Sequence, residues 1–171
     1  MLNRVDLIMP EYMMYLNELE AARGFGEVFS LVKMAVSERL RLHRAGLALV
    51  LMDLPPNVLA QHQIGSNAIV VDKKVIDAID STSRSRLERN SYVFVILLHE
   101  YLHSLGITDE ERVRALVLDV VEYTFPGNQT IRAIALNPTI MIADRSITST
   151  QSKTLPLLVR DFDRESMPYI G

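Results

Sequence analysis

His99, Glu100 and His103 stand together in the segment HEYLHSLG, and their spacing carries more chemistry than any other part of the sequence. Residues four apart on a helix share a face, with Cβ atoms roughly 5–6 Å apart, so His99 and His103 can turn two imidazole nitrogens onto one Zn²⁺. Glu100 is rotated by about 100° from His99, which suits it poorly as a third ligand but well as a base beside a metal-held water. A carboxylate so placed takes a proton from the water and passes it to the leaving amine of a peptide. The expected chemistry is zinc-dependent hydrolysis of peptide bonds, with His99 and His103 on the metal and Glu100 catalytic.

The plainer alternative is a structural helix that happens to contain two histidines and binds no metal. A chance HExxH match in a chain of this composition is roughly a one-in-two-hundred event. The surroundings weigh further against chance. The run YVFVILL makes the helix from about Ser91 to Leu105 apolar on nearly all sides, the mark of a helix buried in mid-domain, and polar groups are excluded from such a helix unless something satisfies them.

The string HEYLHSLGITD, residues 99–109 of the 171, resembles the zincin metallopeptidases, and reads as HExxHxxGxxD beside the metzincin pattern HExxHxxGxxH. That resemblance implies that Gly106 makes the turn below the metal and that Asp109 is the third ligand; some zincins, the snapalysins, carry Asp at that place. The runner-up is a minimal gluzincin, in which a glutamate of the following helix completes the site, so Glu110 and Glu111 compete with Asp109. A helical wheel separates the three. The apolar face of Val113, Leu116, Val117, Val120 and Val121 centres near about 20° when Val113 is set at zero; Asp109 falls near about -40°, Glu110 near about 60° and Glu111 near about 160°. Asp109 and Glu110 both remain candidates, Asp109 first, while Glu111 is better explained as the capping partner of Thr108. The family's methionine turn would fall at Met141 in NPTIMIAD, although methionine is more often a core filler.

Composition sets the bounds. With 49% hydrophobic and 23% charged residues in 171, the chain suits a single globular domain. A net charge of -3 offers no basic field to a phosphate backbone, so nucleic acid is not expected as a partner. The absence of cysteine leaves imidazole and carboxylate as the only ligands for a metal. Asp6, Pro10 and Glu11 interrupt what a secretory signal would need, and Tyr92 to Leu98 is far short of the ~20 residues of a membrane span, so a cytoplasmic protein with no membrane segment is expected.

The expected fold is α+β and zincin-like: a small twisted, mostly antiparallel or mixed sheet packed on a central buried HExxH helix, with additional N-terminal helices. Residues 1–44 read as the helical part, with one helix opening at Pro10 and stopping near Gly24 and a second from about Gly26 to Arg44. Residues 45–126 carry the sheet and the active-site helices. Leu47 to Met52 reads as a strand buried on both faces, Val58 to Ile64 and Asn67 to Val71 as a hairpin about Gly65-Ser66, and Lys73 to Ile79 as a short helix capped by Asp72. The polar stretch STSRSRLER is expected to be exposed, and the helix opening at Thr108 should end at Pro126-Gly127. Residues 127–171 carry no strong periodicity.

The remaining candidates are weaker. His62 and His43 are expected not to be ligands. Tyr92, Tyr101 and Tyr123 could each stabilise an oxyanion, though the first two belong to the buried helix. The partner is a peptide or protein substrate, and the resemblance implies an extended peptide lying along an edge strand, for which Asn67 to Val71 is the candidate. Asp161, Asp163 and Glu165 of the tail could enter the cleft and hold the enzyme latent, a solvated tail being the simpler reading. A zincin-like metal-binding module with a regulatory role and no turnover is the second functional expectation.

Overall fold

A buried helix in the middle of the chain organises the rest. The structure, a computed structural model, describes residues 4–138 and 155–165, with side chains from Tyr12 onward. Its elements run α1 (Arg4–Ala21), α2 (Phe25–Leu40), β1 (Ala48–Met52), β2 (Ala60–His62), β3 (Ala68–Asp72), α3 (Lys73–Thr82), α4 (Arg86–Ser104), α5 (Glu110–Thr124), α6 (Gln129–Leu136) and β4 (Leu157–Val159). The class is α+β, with six helices and a four-stranded mixed sheet among the described residues. No helix among them is long and apolar enough to cross a membrane.

Helix α4 carries HEYLH and packs against α1, α2, α5 and α6 on its helical sides and against β2 and β3 of the sheet. Every residue from Asn90 to Leu98 is buried, as the all-round apolar run requires. The one amide in that stretch, Asn90, is satisfied: its Nδ2 donates to the carbonyls of Leu19 and Ala22 at 2.7 and 2.8 Å, occupying acceptors that the end of α1 leaves open. Helix α4 begins earlier than its apolar run, because Ser85 caps it by accepting from the Glu88 N–H at 3.1 Å while Glu88 accepts from the Arg84 N–H at 2.8 Å. The polar stretch is thus partly the first turns of α4.

The sheet order is β2-β3-β1-β4. β1 pairs in parallel with β3 from Ala48↔Ala68 to Met52↔Asp72, and antiparallel with β4 through Leu49↔Val159. β2 and β3 form the expected hairpin, shortened to Ala60↔Val71 and His62↔Ile69. Two expectations change. β1 is fully buried on one face only, at Leu49 and Leu51, while Ala48, Val50 and Met52 are half-buried. β3 is paired on both sides and is not an edge; the edges are β2 and β4.

Helix boundaries also shift. α1 extends from Arg4, ahead of Pro10, and α2 stops at Leu40, where Arg41 takes a left-handed φ of 59° and donates its N–H to Ser37. Residues 129–136 form a helix capped by Asn128 that the weak periodicity did not reveal. The tail returns to the body at β4. Phe162 stacks on Phe29 with centroids 4.2 Å apart, and buried Lys33 pairs with Asp163, which also accepts from the N–H groups of Gly46 and Leu47 at 2.9 and 3.1 Å. The chain passes so close to α2 that a Cβ at Gly26 would lie 2.5 Å from the Asp161 carbonyl oxygen, so only glycine fits there.

Candidate metal centre

The site is built at the C-terminal end of α4 and the start of α5. The turn between them is a Schellman motif: the Gly106 N–H donates to His103 O at 3.0 Å and the Ile107 N–H to Leu102 O at 3.4 Å, with Gly106 at a φ of +92°. That reversal brings the Ile107 carbonyl back over the last turn of α4, where it lies 2.8 Å from His103 Nδ1. Nδ1 is therefore the protonated nitrogen, and the Nε2 lone pair points away from the helix.

Nε2 of His103 lies 3.2 Å from His99 Nε2 and 2.9 Å from Glu110 Oε1, and His99 Nε2 lies 3.3 Å from Glu110 Oε2. His103 turns a lone pair and Glu110 a carboxylate toward this point, an arrangement that a cation between them would satisfy. The donors of His99, His103 and Glu110 all lie within 4.8 Å of one another, so the group could hold a metal ion. Their separations also match the spacing of about 3.3 Å between ligand atoms of a tetrahedral ion with bonds of about 2.0–2.1 Å. Burial is the first cause that holds the His99 imidazole below its usual range, opposed by the charge of Glu110; a neutral ring is the form that ligates.

The competing acids are now separated. The resemblance assigns the third position to Asp109, but Asp109 is the N-cap of α5 and its Oδ1 accepts from the Arg112 N–H at 2.7 Å. Glu110, the first residue of the helix, is the acid turned toward both histidines. Glu111 is exposed, and the cap expected at Thr108 falls one residue later.

Glu100 is only 5% exposed, and its carboxylate accepts from the backbone N–H of His62 in β2. Burial first, then the charge of Glu110, pushes its carboxyl up to about 8 against the pull of that N–H. Strand β2 therefore fixes the acid beside the metal group.

His99, Glu100 and Glu110 border a cavity of about 720 Å³. Asn57, at a left-handed φ of 67°, turns the chain so that Val58 and Leu59 form one wall ahead of β2. Val95 and Ile96 of α4, Val117 and Leu118 of α5, and the end of α6 at Leu136 supply most of the rest. Arg114 of α5 also lines it, a residue that the sequence reading passes over although it follows Glu110 by one helical turn.

Other candidates lie elsewhere. None of the three tyrosines lines the cavity: Tyr92 is buried, Tyr101 is locked to Arg44 by bonds of 2.8 and 3.2 Å, and Tyr123 sits under the Arg39 guanidinium. His43 pairs with Glu165 at 2.7 Å, and His62 Nε2 lies 3.0 Å from Ser66 O with its buried Nδ1 unpartnered among the described residues. Of the tail acids, Asp163 and Glu165 are engaged at Lys33, His43 and the start of β1, and Asp161 is exposed; none lines the cavity. The methionine turn expected at Met141 lies outside the described residues.

Compared with known proteins, the chain matches no protein-family model, no curated protein and no solved structure.

Proposed function

We propose that this protein is a zinc-dependent hydrolase of peptide bonds, with His99, His103 and Glu110 as the metal ligands and Glu100 as the general base. The observation that carries the reading is the convergence of Glu110 on the two histidines beside a buried carboxylate at the border of a roomy cleft. A third donor from the following helix favours a gluzincin-like arrangement over the metzincin-like one that Asp109 would make, within the zincin-like fold expected from the sequence.

Zinc bound there would polarise the scissile carbonyl and lower the pKa of a water. The chain's own residues do the rest. Ile107 fixes the ring of His103, His62 N–H holds the Glu100 carboxylate in one orientation, and Glu100 accepts the proton of the attacking water and delivers it to the leaving nitrogen. Val58 to Ala60, leading into edge strand β2, is where an extended peptide would lie.

Glu100→Gln keeps the His62 contact and the metal ligands but removes the base. Hydrolysis of a peptide library should fall by at least about a thousandfold while zinc stays stoichiometric by elemental analysis. Retained turnover would refute the assignment. A wild-type protein that holds zinc and cleaves nothing would instead support the metal-binding module without turnover.

A further inference from the structure

Several exposed arginines have no side-chain partner, but Arg114 alone among the described arginines lines the cleft. Arg39 pairs with Asp119, Arg89 with Asp80 and Arg132 with Glu122, and Arg44 is bonded to Ser104, Ser66 and Asn67. Arg114 makes no hydrogen bond or ion pair of this kind among the described residues, and it lines the cleft. It lies on the same face of α5 as Glu110, one turn further along.

We propose that Arg114 is the anion anchor of the cleft, holding a carboxylate of the bound peptide while an adjacent apolar side chain of that peptide packs against Val117, Leu118 and Leu136. The proposal rests on the hydrolase reading for its substrate, not for its geometry. Arg114 is the one Lys or Arg among the described residues that line this largely apolar cavity. A planar guanidinium in such surroundings favours bidentate pairing with a carboxylate.

The carboxylate has two sources, the C-terminus of a peptide or an Asp or Glu side chain. Matched peptide pairs separate them: free acid against C-terminal amide, and internal Asp or Glu against Asn or Gln. Affinities are measured with the full chain, zinc-loaded and carrying Glu100→Gln so that peptides bind without turnover, with and without Arg114→Ala. The expected result is a preference of about tenfold or more for the carboxylate member of one pair series, falling to near unity in Arg114→Ala and partly restored in Arg114→Lys. The series that responds names the source.

A preference unchanged by Arg114→Ala overturns the proposal, as does the absence of any preference or of any peptide binding. Loss of the preference in a protein whose wild type cleaves none of these peptides leaves the anchor standing and removes the hydrolase reading alone.

Discussion

His103 Nδ1 and the Ile107 carbonyl oxygen are 2.8 Å apart, and this contact exists because Gly106 reverses the chain between them. One backbone bond thereby fixes the tautomer of a candidate ligand, and the same reversal starts α5 where Glu110 can face both rings.

The division of labour between Asp109 and Glu110 is open to direct test. Glu110→Gln should weaken zinc binding by about 10- to 100-fold or more, since it removes a charged donor from a three-residue set. Asp109→Ala should instead cost about 1 kcal/mol of stability through the lost cap and leave zinc stoichiometric. Competitive chelator titration and thermal melts read both. The opposite pattern would return the ligand to Asp109.

At Gly106 there is space for a Cβ, with nothing within 4 Å, so Gly106→Ala isolates the cost of the left-handed backbone. That cost is about 1–2 kcal/mol. Because the strain bears on the turn that carries Ile107, zinc affinity should fall together with the melting temperature. An unchanged affinity would mean that the turn does not hold His103.

Acid should loosen the tail. Burial pushes the Asp163 carboxyl up, yet the bond from Lys33, the N–H of Leu47 and the Lys33 charge together hold it below the ordinary 3.8. A depressed carboxylate stabilises the fold above its unfolded pKa and loses that contribution as pH falls through the folded value, so stability should decline below about pH 3.8. Asp163→Asn should flatten that decline and cost about 1–3 kcal/mol at neutral pH, because buried Lys33 keeps only the half-exposed Glu165 as its counter-charge. Denaturant melts across pH measure both effects.

The parts of this molecule legible in its sequence are the local ones. Helical spacing marks α4, and the four-residue interval puts His99 and His103 on one face without reference to anything distant. The wheel cannot choose between Asp109 and Glu110, because both fall on the inner side; the choice turns on which residue caps α5, and a shift of the cap from Thr108 to Asp109 decides it. The edge of the sheet was illegible for another reason. The parallel pairing of β1 with β3 takes β3 off the edge, and no local pattern in Asn67 to Val71 announces it. Arg114 carries no signal of its own until α5 is set against the cleft.

The Schellman turn has a consequence for how the protein matures. All three candidate metal donors fall within residues 99–110, so the ion can be captured by one helical hairpin, a closure of short sequence distance and low entropic cost. The proposed base is different: Glu100 acquires its buried, strand-bound state only when His62 arrives from a separate part of the chain. On the proposed function, holding metal and becoming competent would be two folding events, and the nascent hairpin would carry zinc before it could cut its neighbours.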